Sequence, residues 1–285
     1  MSVITSRPPA REAPPAPPAR GPDWRDLGLR VGLPAGVALL CLAGWHLGIA
    51  YSRAVSPDTS VLPTPLEVLA ALGELAEKGL LVKYTVSSLF RVTWAYLAAV
   101  LIGVPLGLVM GWFSRFYQAL NPLVQVLRPI SPIAWIPLSI MWFGITESAP
   151  VFLIFIASLF PIMVTATAAV QNIQTVYLRA AQNFGLGRVQ MFRRVILPAT
   201  LPQILTGLRI TLGIAWLVVV AAEMIVVNPK AGGLGFLIID AGNQGARYDL
   251  VVAGMLLIGL IGLVLDLLVR QLERFDEVRW GYGQR

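Results

Sequence analysis

The residues able to do chemistry in this chain are few and stand in apolar surroundings. Arg128 lies in the run RPISPIAWIPL with Ser131 and Trp135; Arg209 and Trp216 share GLRITLGIAW; Glu223 interrupts VVVAAEMIVV. A guanidinium offers a planar fork of donors that suits an oxyanion. A charge within an apolar span is costly unless it faces a cavity, a partner or the interface. Arg128, Ser131, Trp135, Arg209, Trp216 and Glu223 are therefore the candidates for lining a path through a membrane. Each has a plainer reading beside it. Arg128 lies about two turns from the inner boundary, within snorkelling reach of headgroups; Arg209 can be an interface anchor, and the tryptophans can be packing residues. Glu223 repels anions, so a pairing with Arg209, Arg128 or Arg91, or a gate contact, suits it better than ligation. Asp266 and Arg270 are four residues apart, the spacing of a structural ion pair on one helix face.

What the chain lacks narrows its chemistry further. One histidine, His46, and one cysteine, Cys41, leave no histidine metal cluster and no disulfide framework. No glycine loop ends in Gly, Lys and Ser or Thr, so the chain is expected to bind no cofactor and to draw ATP energy from another chain.

The elements that must position these residues follow from composition. Of 285 residues, 56% are apolar and 13% charged, a balance unlike any soluble domain of this length. The net charge of +7 gathers at the ends of apolar runs, as membrane topology requires, rather than in a nucleic-acid footprint. A hydrocarbon core takes about 20 apolar residues per helix, and about six stretches serve. They run from about Leu27 to Tyr51, Tyr84 to Trp112, onward from Leu120, Pro150 to Val170, Leu201 to Val227 and Leu250 to Val269. Arg25 and Arg30 set the amino terminus inside, and six crossings return the carboxyl terminus inside, with Arg270, Arg274 and Arg279 beyond the last span. Residues 1–22 are Pro, Ala and Arg rich and read as a disordered cytoplasmic tail. Residues 23–275 form the membrane domain and 276–285 a second cytoplasmic tail.

Local patterns sharpen this plan. From Pro65 to Lys78, Leu66, Leu69, Leu72 and Leu75 oppose Glu67, Glu74 and Glu77; this predicts an amphipathic helix at a surface, on lipid or on its neighbours. Gly103 and Gly107 flank Pro105 and permit close helix packing, while Arg91 sits near the outer end, placed to snorkel. In the third span Pro122, Pro129, Pro132 and Pro137 cannot all occupy one regular helix. Broken backbone at membrane depth is tolerated only against protein or a water-lined cavity, so this span is expected to line something. Residues 228–249 read as a glycine-rich outer loop.

One polar stretch interrupts the apolar runs. Residues 171–200, QNIQTVYLRAAQNFGLGRVQMFRRVILPAT, carry Arg179, Arg188, Arg193 and Arg194 and no acid, which places them on the cytoplasmic side. Ala180 and Ala181 are small enough for a partner to approach, Gly185 lets the chain reverse, and Leu197 and Pro198 open the next helix where no backbone donor is needed. This stretch resembles the cytoplasmic EAA loop of permease subunits of ATP-binding-cassette importers. The run RPISPIAWIPL and the span GLRITLGIAWLVVVAAEM resemble the nitrate, sulfonate, bicarbonate and taurine group of that family.

The resemblance implies an all-α integral membrane protein with the type I ABC importer permease (MetI-like) fold. It also implies that Arg179, Ala180, Ala181, Gly185, Leu197 and Pro198 dock a separate ATPase subunit. Arg179 stands where the motif has glutamate, so a salt bridge made by that acid does not carry over. Implied partners are two ATPase subunits that hold ATP and Mg, a second permease copy, an external substrate-binding protein and a small anion such as nitrate, bicarbonate, taurine or an alkanesulfonate. The implied location is the bacterial inner membrane. Two alternatives belong to other classes. An integral membrane enzyme needs paired acids or an activated nucleophile where this chain has only isolated ionisable residues, and a passive channel has no use for a docking knob.

Overall fold

The computed structural model describes residues 24–56, 61–226, 232–245 and 247–272, with side chains from 32 to 271. The expected tails at 1–22 and 276–285, Arg274, Arg279 and the side chains of Arg25 and Arg30 lie outside them. Among the described residues every regular element is helical. The chain divides into two units, 1–58 and 59–285. The first contains α1 (Trp24–Val55), whose Gly32–Val55 portion is long and apolar enough to cross a membrane.

The second unit begins with α2 (Pro65–Glu77) and continues with α3 (Leu80–Trp112), α4 (Ser114–Leu127), a 3-10 turn (Pro132–Trp135), α5 (Ile136–Phe143) and α6 (Ser148–Gln171). After α7 (Thr175–Asn183) and α8 (Arg188–Met191), a π turn (Phe192–Ile196) leads into α9 (Leu197–Ile225), α10 (Leu234–Asn243) and α11 (Tyr248–Leu272). Four of these helices are long and apolar enough to span, and α4 with the 3-10 turn and α5 makes a further broken span bent by 90°. The prolines explain the bend. Pro129 lies within it, Pro132 opens the 3-10 turn and Pro137 falls in the first turn of α5, where its missing donor costs nothing. Pro122 alone is accommodated inside a helix. The span starts at Ser114 rather than near Leu120, because the chain turns sharply at Phe113, which is extended between α3 and α4.

The core is α3 against α6 and α6 against α9. A glycine row on α3 sets the first contact: a Cβ on Gly107 would lie 2.6 Å from the Met163 carbonyl oxygen and 2.6 Å from the Ala166 Cβ. Gly103 and Gly111 meet Ile162 and Val170 in the same way, and Thr167 donates to the Gly107 carbonyl at 3.1 Å. Small residues allow backbones this close, and the closeness admits the interhelical bond.

Two surface elements differ from expectation. On α2 the buried stripe is Val68, Ala71 and Leu75, which face α3 and α11, while Leu66 and Leu69 are exposed. Leucines spaced by three drift about 60° per step around a helix, so four of them cannot share one face. The predicted outer loop contains α10, whose Leu234, Leu237, Ile238 and Ala241 are buried. Its glycines hide an apolar period that packs on α9 and α11.

Charge also fixes α2. Arg247 bonds Glu74 at 2.6 Å and Asp249 at 2.8 Å, and Lys78 bonds Glu74 at 2.6 Å. The Arg247 bond, then the Lys78 bond, holds the Glu74 carboxyl down to about 2 from an ordinary 4.5. A carboxyl lowered by folding stabilises the fold fully above its ordinary value and loses that contribution as pH falls through the folded one. The melting advantage of the protein over its Glu74→Gln variant should therefore be flat near neutrality and shrink between about pH 4.5 and 2. Thermal unfolding across that range checks this.

Candidate translocation cleft and docking loop

Residues 171–200 fold as two limbs around Gly185. Gly185 is left-handed at φ +73°, a conformation that costs other residues strain. The Leu186 amide returns to the Ala181 carbonyl at 3.2 Å and the Gly185 amide to Gln182 at 2.9 Å, closing the end of α7 with paired bonds. Leu178, Ala181, Leu186, Met191 and Ile196 form a small core with Ala166, Val170 and Trp112. The loop is thus braced on the ends of α3 and α6.

This geometry corrects two expectations. Ala181 is 4% exposed and packs inward, so of the alanine pair only Ala180 faces out. Pro198 does not open a separate helix. Residues Arg188 to Ile225 run continuously, and the Leu197 amide reaches back to Phe192 in the π turn just before it. The wider turn takes up the backbone pattern that a proline interrupts. Arg179 is exposed, as are Leu197 and Pro198. The sequence alone does not single out Val176, Tyr177, Phe184 and Val189, yet all are exposed, Phe184 at 86%. Apolar residues flanking a glycine turn in an otherwise polar loop are the signal for them, and it is faint because such residues ordinarily form a core.

Between α6, α9 and the bend after α4 lies an open cleft of about 780 Å³. Arg128 is its one charged lining residue among those described, beside Gln203, Thr165, Thr206 and Thr211. Thr165, Thr206 and Thr211 donate to carbonyls one turn back on their own helices, Pro161, Pro202 and Gly207. Their hydroxyl protons are thereby occupied. Arg128 and the Gln203 amide remain as the groups able to donate to a ligand.

The other path candidates sit elsewhere. Ser131 is exposed on the bend and outside the cleft lining. Trp135 packs beside Ile136, Ala149, Leu153 and Ala222, and its buried indole nitrogen has no hydrogen-bond partner among the described residues. Trp216 is buried against Gly262 and donates to the Ile258 carbonyl at 3.0 Å, a packing role. Arg209 bonds both oxygens of Asp266, at 2.7 and 3.1 Å, and ties α9 to α11. The Asp266 to Arg270 pair forms as expected, at 3.0 Å, so one carboxylate serves two arginines.

Glu223 is 2% exposed and anchors a network at the end of the bundle away from the loop. Of its three expected partners it takes Arg91, at 2.5 Å, and accepts as well from the Ser88 hydroxyl at 2.8 Å and the Gly235 amide at 3.0 Å. Arg91 does not snorkel. It is 5% exposed, and its Nε reaches Glu147 at 2.5 Å. Ser88 accepts in turn from the Leu234 amide at 2.9 Å. One buried ion pair thus joins α3, α9, the connector before α6 and the start of α10. Ser88 and Arg91, three apart on one helical face, are its sequence signal; nothing local points to Glu147.

Residues 103–275 match the model of the family described as binding-protein-dependent transport system inner membrane component. That region contains the cleft, the loop and Glu223. The chain belongs to this family. It is the membrane-embedded permease subunit of an ATP-binding-cassette importer, resident in the inner membrane, and it works with separate subunits. The permease is 39% identical over 257 residues to the taurine transport system permease protein of Escherichia coli K12, covering 88% of this chain and 91% of that one. It is 36% identical over 245 residues to the nitrate import permease protein of Leptolyngbya laminosa, covering 85% and 86%. Its fold resembles the inward-facing MetNI methionine transporter, with TM-score 0.61, 19% identity, and 72% of this chain and 97% of that one covered. It also resembles a bacterial alginate transporter in complex with its alginate-bound periplasmic protein, with TM-score 0.59, 19% identity, and 92% and 99% covered.

Proposed function

We propose that this permease moves a small anion, of the class of nitrate, bicarbonate, taurine or an alkanesulfonate, along the cleft beside Arg128. The observation that carries this reading is Arg128 itself, the cleft's one charged lining residue among those described. Relatives that import taurine and nitrate at 39% and 36% identity support the same class. A symmetric second copy, the default for such assemblies, facing the open side would complete the path. Residues 171–200 dock an ATPase subunit, and ATP and Mg are held on those partners rather than on this chain. The loop's four arginines and absent acids support a cytoplasmic loop, and six crossings with Arg25 and Arg30 before the first support a reading with both termini inside. ATP drives transport because the ATPase pair distinguishes the two conformations of the permease.

The test is ATPase activity of the complex, assembled with its ATPase and binding protein, during titration with nitrate, bicarbonate, taurine and an alkanesulfonate. Stimulation by one of them identifies the substrate; stimulation by none overturns the anion class. In the same complex Arg128→Ala should remove a charge-assisted contact of about 1.5–3 kcal/mol, a roughly tenfold to hundredfold loss of uptake. Arg128→Lys should retain the charge and lose only the planar fork. Equal uptake by all three proteins would remove Arg128 from the path.

A further inference from the structure

A second basic recess lies apart from the cleft, at the corner where α3 turns into α4 beside α8. Its volume is about 690 Å³, and it is lined by Trp112, Phe113, Ser114, Arg115, Phe116 and Arg188. Arg115 and Arg188 come from elements far apart in sequence, both are exposed, and neither has an ion-pair partner among the described residues. No acid lines the recess among the described residues. Two guanidiniums lining one recess with no acid beside them favour an anion there. The other walls say which kind. Trp112 is the last residue of an apolar span, and the Phe113 and Phe116 rings stand 6.0 Å apart, both about half exposed. Tryptophan and phenylalanine at the end of a span, with arginine beside them, mark the depth where acyl chains meet headgroups.

We propose that this recess binds the phosphate of an anionic phospholipid headgroup through Arg115 and Arg188, with Trp112, Phe113 and Phe116 against its glycerol and upper acyl region. The site bears on the loop mechanically. Trp112 packs into the loop's core with Leu178 and Leu186, and Arg188 opens the loop's second limb. A headgroup held there braces residues 171–200 against the end of α3.

The experiment is native mass spectrometry of the full-length permease in detergent, titrated with phosphatidylglycerol or phosphatidylcholine, a readout that needs no substrate or ATPase. Wild type should retain phosphatidylglycerol in preference to phosphatidylcholine. Losing two arginines at about 1 kcal/mol each should weaken that retention roughly thirtyfold in the R115Q/R188Q double variant. R193Q/R194Q removes the same charge from exposed loop positions outside the recess and should bind as wild type does. The assignment is overturned by equal weakening in both double variants, by no preference between the lipids, or by full retention in R115Q/R188Q. It is also overturned if inorganic phosphate displaces the lipid, which would make the recess a site for free anions.

Discussion

Replacing Arg91 with alanine is expected to cost about 3–5 kcal/mol, because Glu223 would be left as a buried charge with no counter-ion. Glu223 is 2% exposed and cannot recover water without opening the bundle. The same carboxylate takes the Gly235 amide, and Ser88 relays to the Leu234 amide, so its disturbance should free the start of α10 as well. Glu223→Gln separates the two functions. It keeps an acceptor for Gly235 and leaves Arg91 paired with Glu147, so its loss should be clearly smaller. Replacing Arg91 and Glu223 together with apolar residues of similar volume should recover much of the loss, since no lone charge remains. Heat-inactivation half-lives in detergent rank the four proteins. Wild-type persistence of Arg91→Ala would mean that this network does not hold the end of the bundle.

The second large effect is expected at Gly185 and concerns coupling more than folding. A Cβ there would meet nothing within 4 Å, so any penalty arises from the backbone at φ +73° and not from a clash. The left-handed conformation costs an ordinary residue about 1–2 kcal/mol, roughly tenfold in the population of the correct turn. Gly185→Val should pull Leu186 out of the loop core and let the partner ATPase hydrolyse ATP with little uptake. Gly185→Asn tolerates φ > 0 and should keep most coupling. The ratio of uptake to hydrolysis in vesicles reads both variants. A valine variant as well coupled as asparagine would remove residues 171–200 from energy transfer.

The chain's local patterns carried much of this molecule. Apolar runs located each span, although the broken one begins six residues earlier than expected and the helix through α9 runs back to Arg188; four prolines located the break, and the glycine in an arginine-bearing loop located the turn that φ +73° displays. These are consequences of composition and period, which act over neighbouring residues. Errors arose where a feature depends on what lies across the bundle. Ala181 has the size for a docking contact, and the Leu186 amide bond together with the Met191 and Ile196 side chains turns it inward instead. The leucines of α2 are its largest apolar side chains, but Val68 and Ala71, joined only by Leu75, form the stripe that faces α3 and α11.

By itself the sequence determined an all-helical membrane permease with one broken span and one reversing loop. It narrowed the chemistry to a few isolated charges. Only the tertiary structure decided what each charge does. Arg91 meets Glu223 across 132 residues and Glu147 across 56, while Arg209 meets Asp266 across 57. Arg128 is left to face the cleft. The physical reason is that a buried charge must be neutralised or solvated wherever it comes to rest, and its resting place is set by the packing of α3, α6 and α9, which no local pattern encodes.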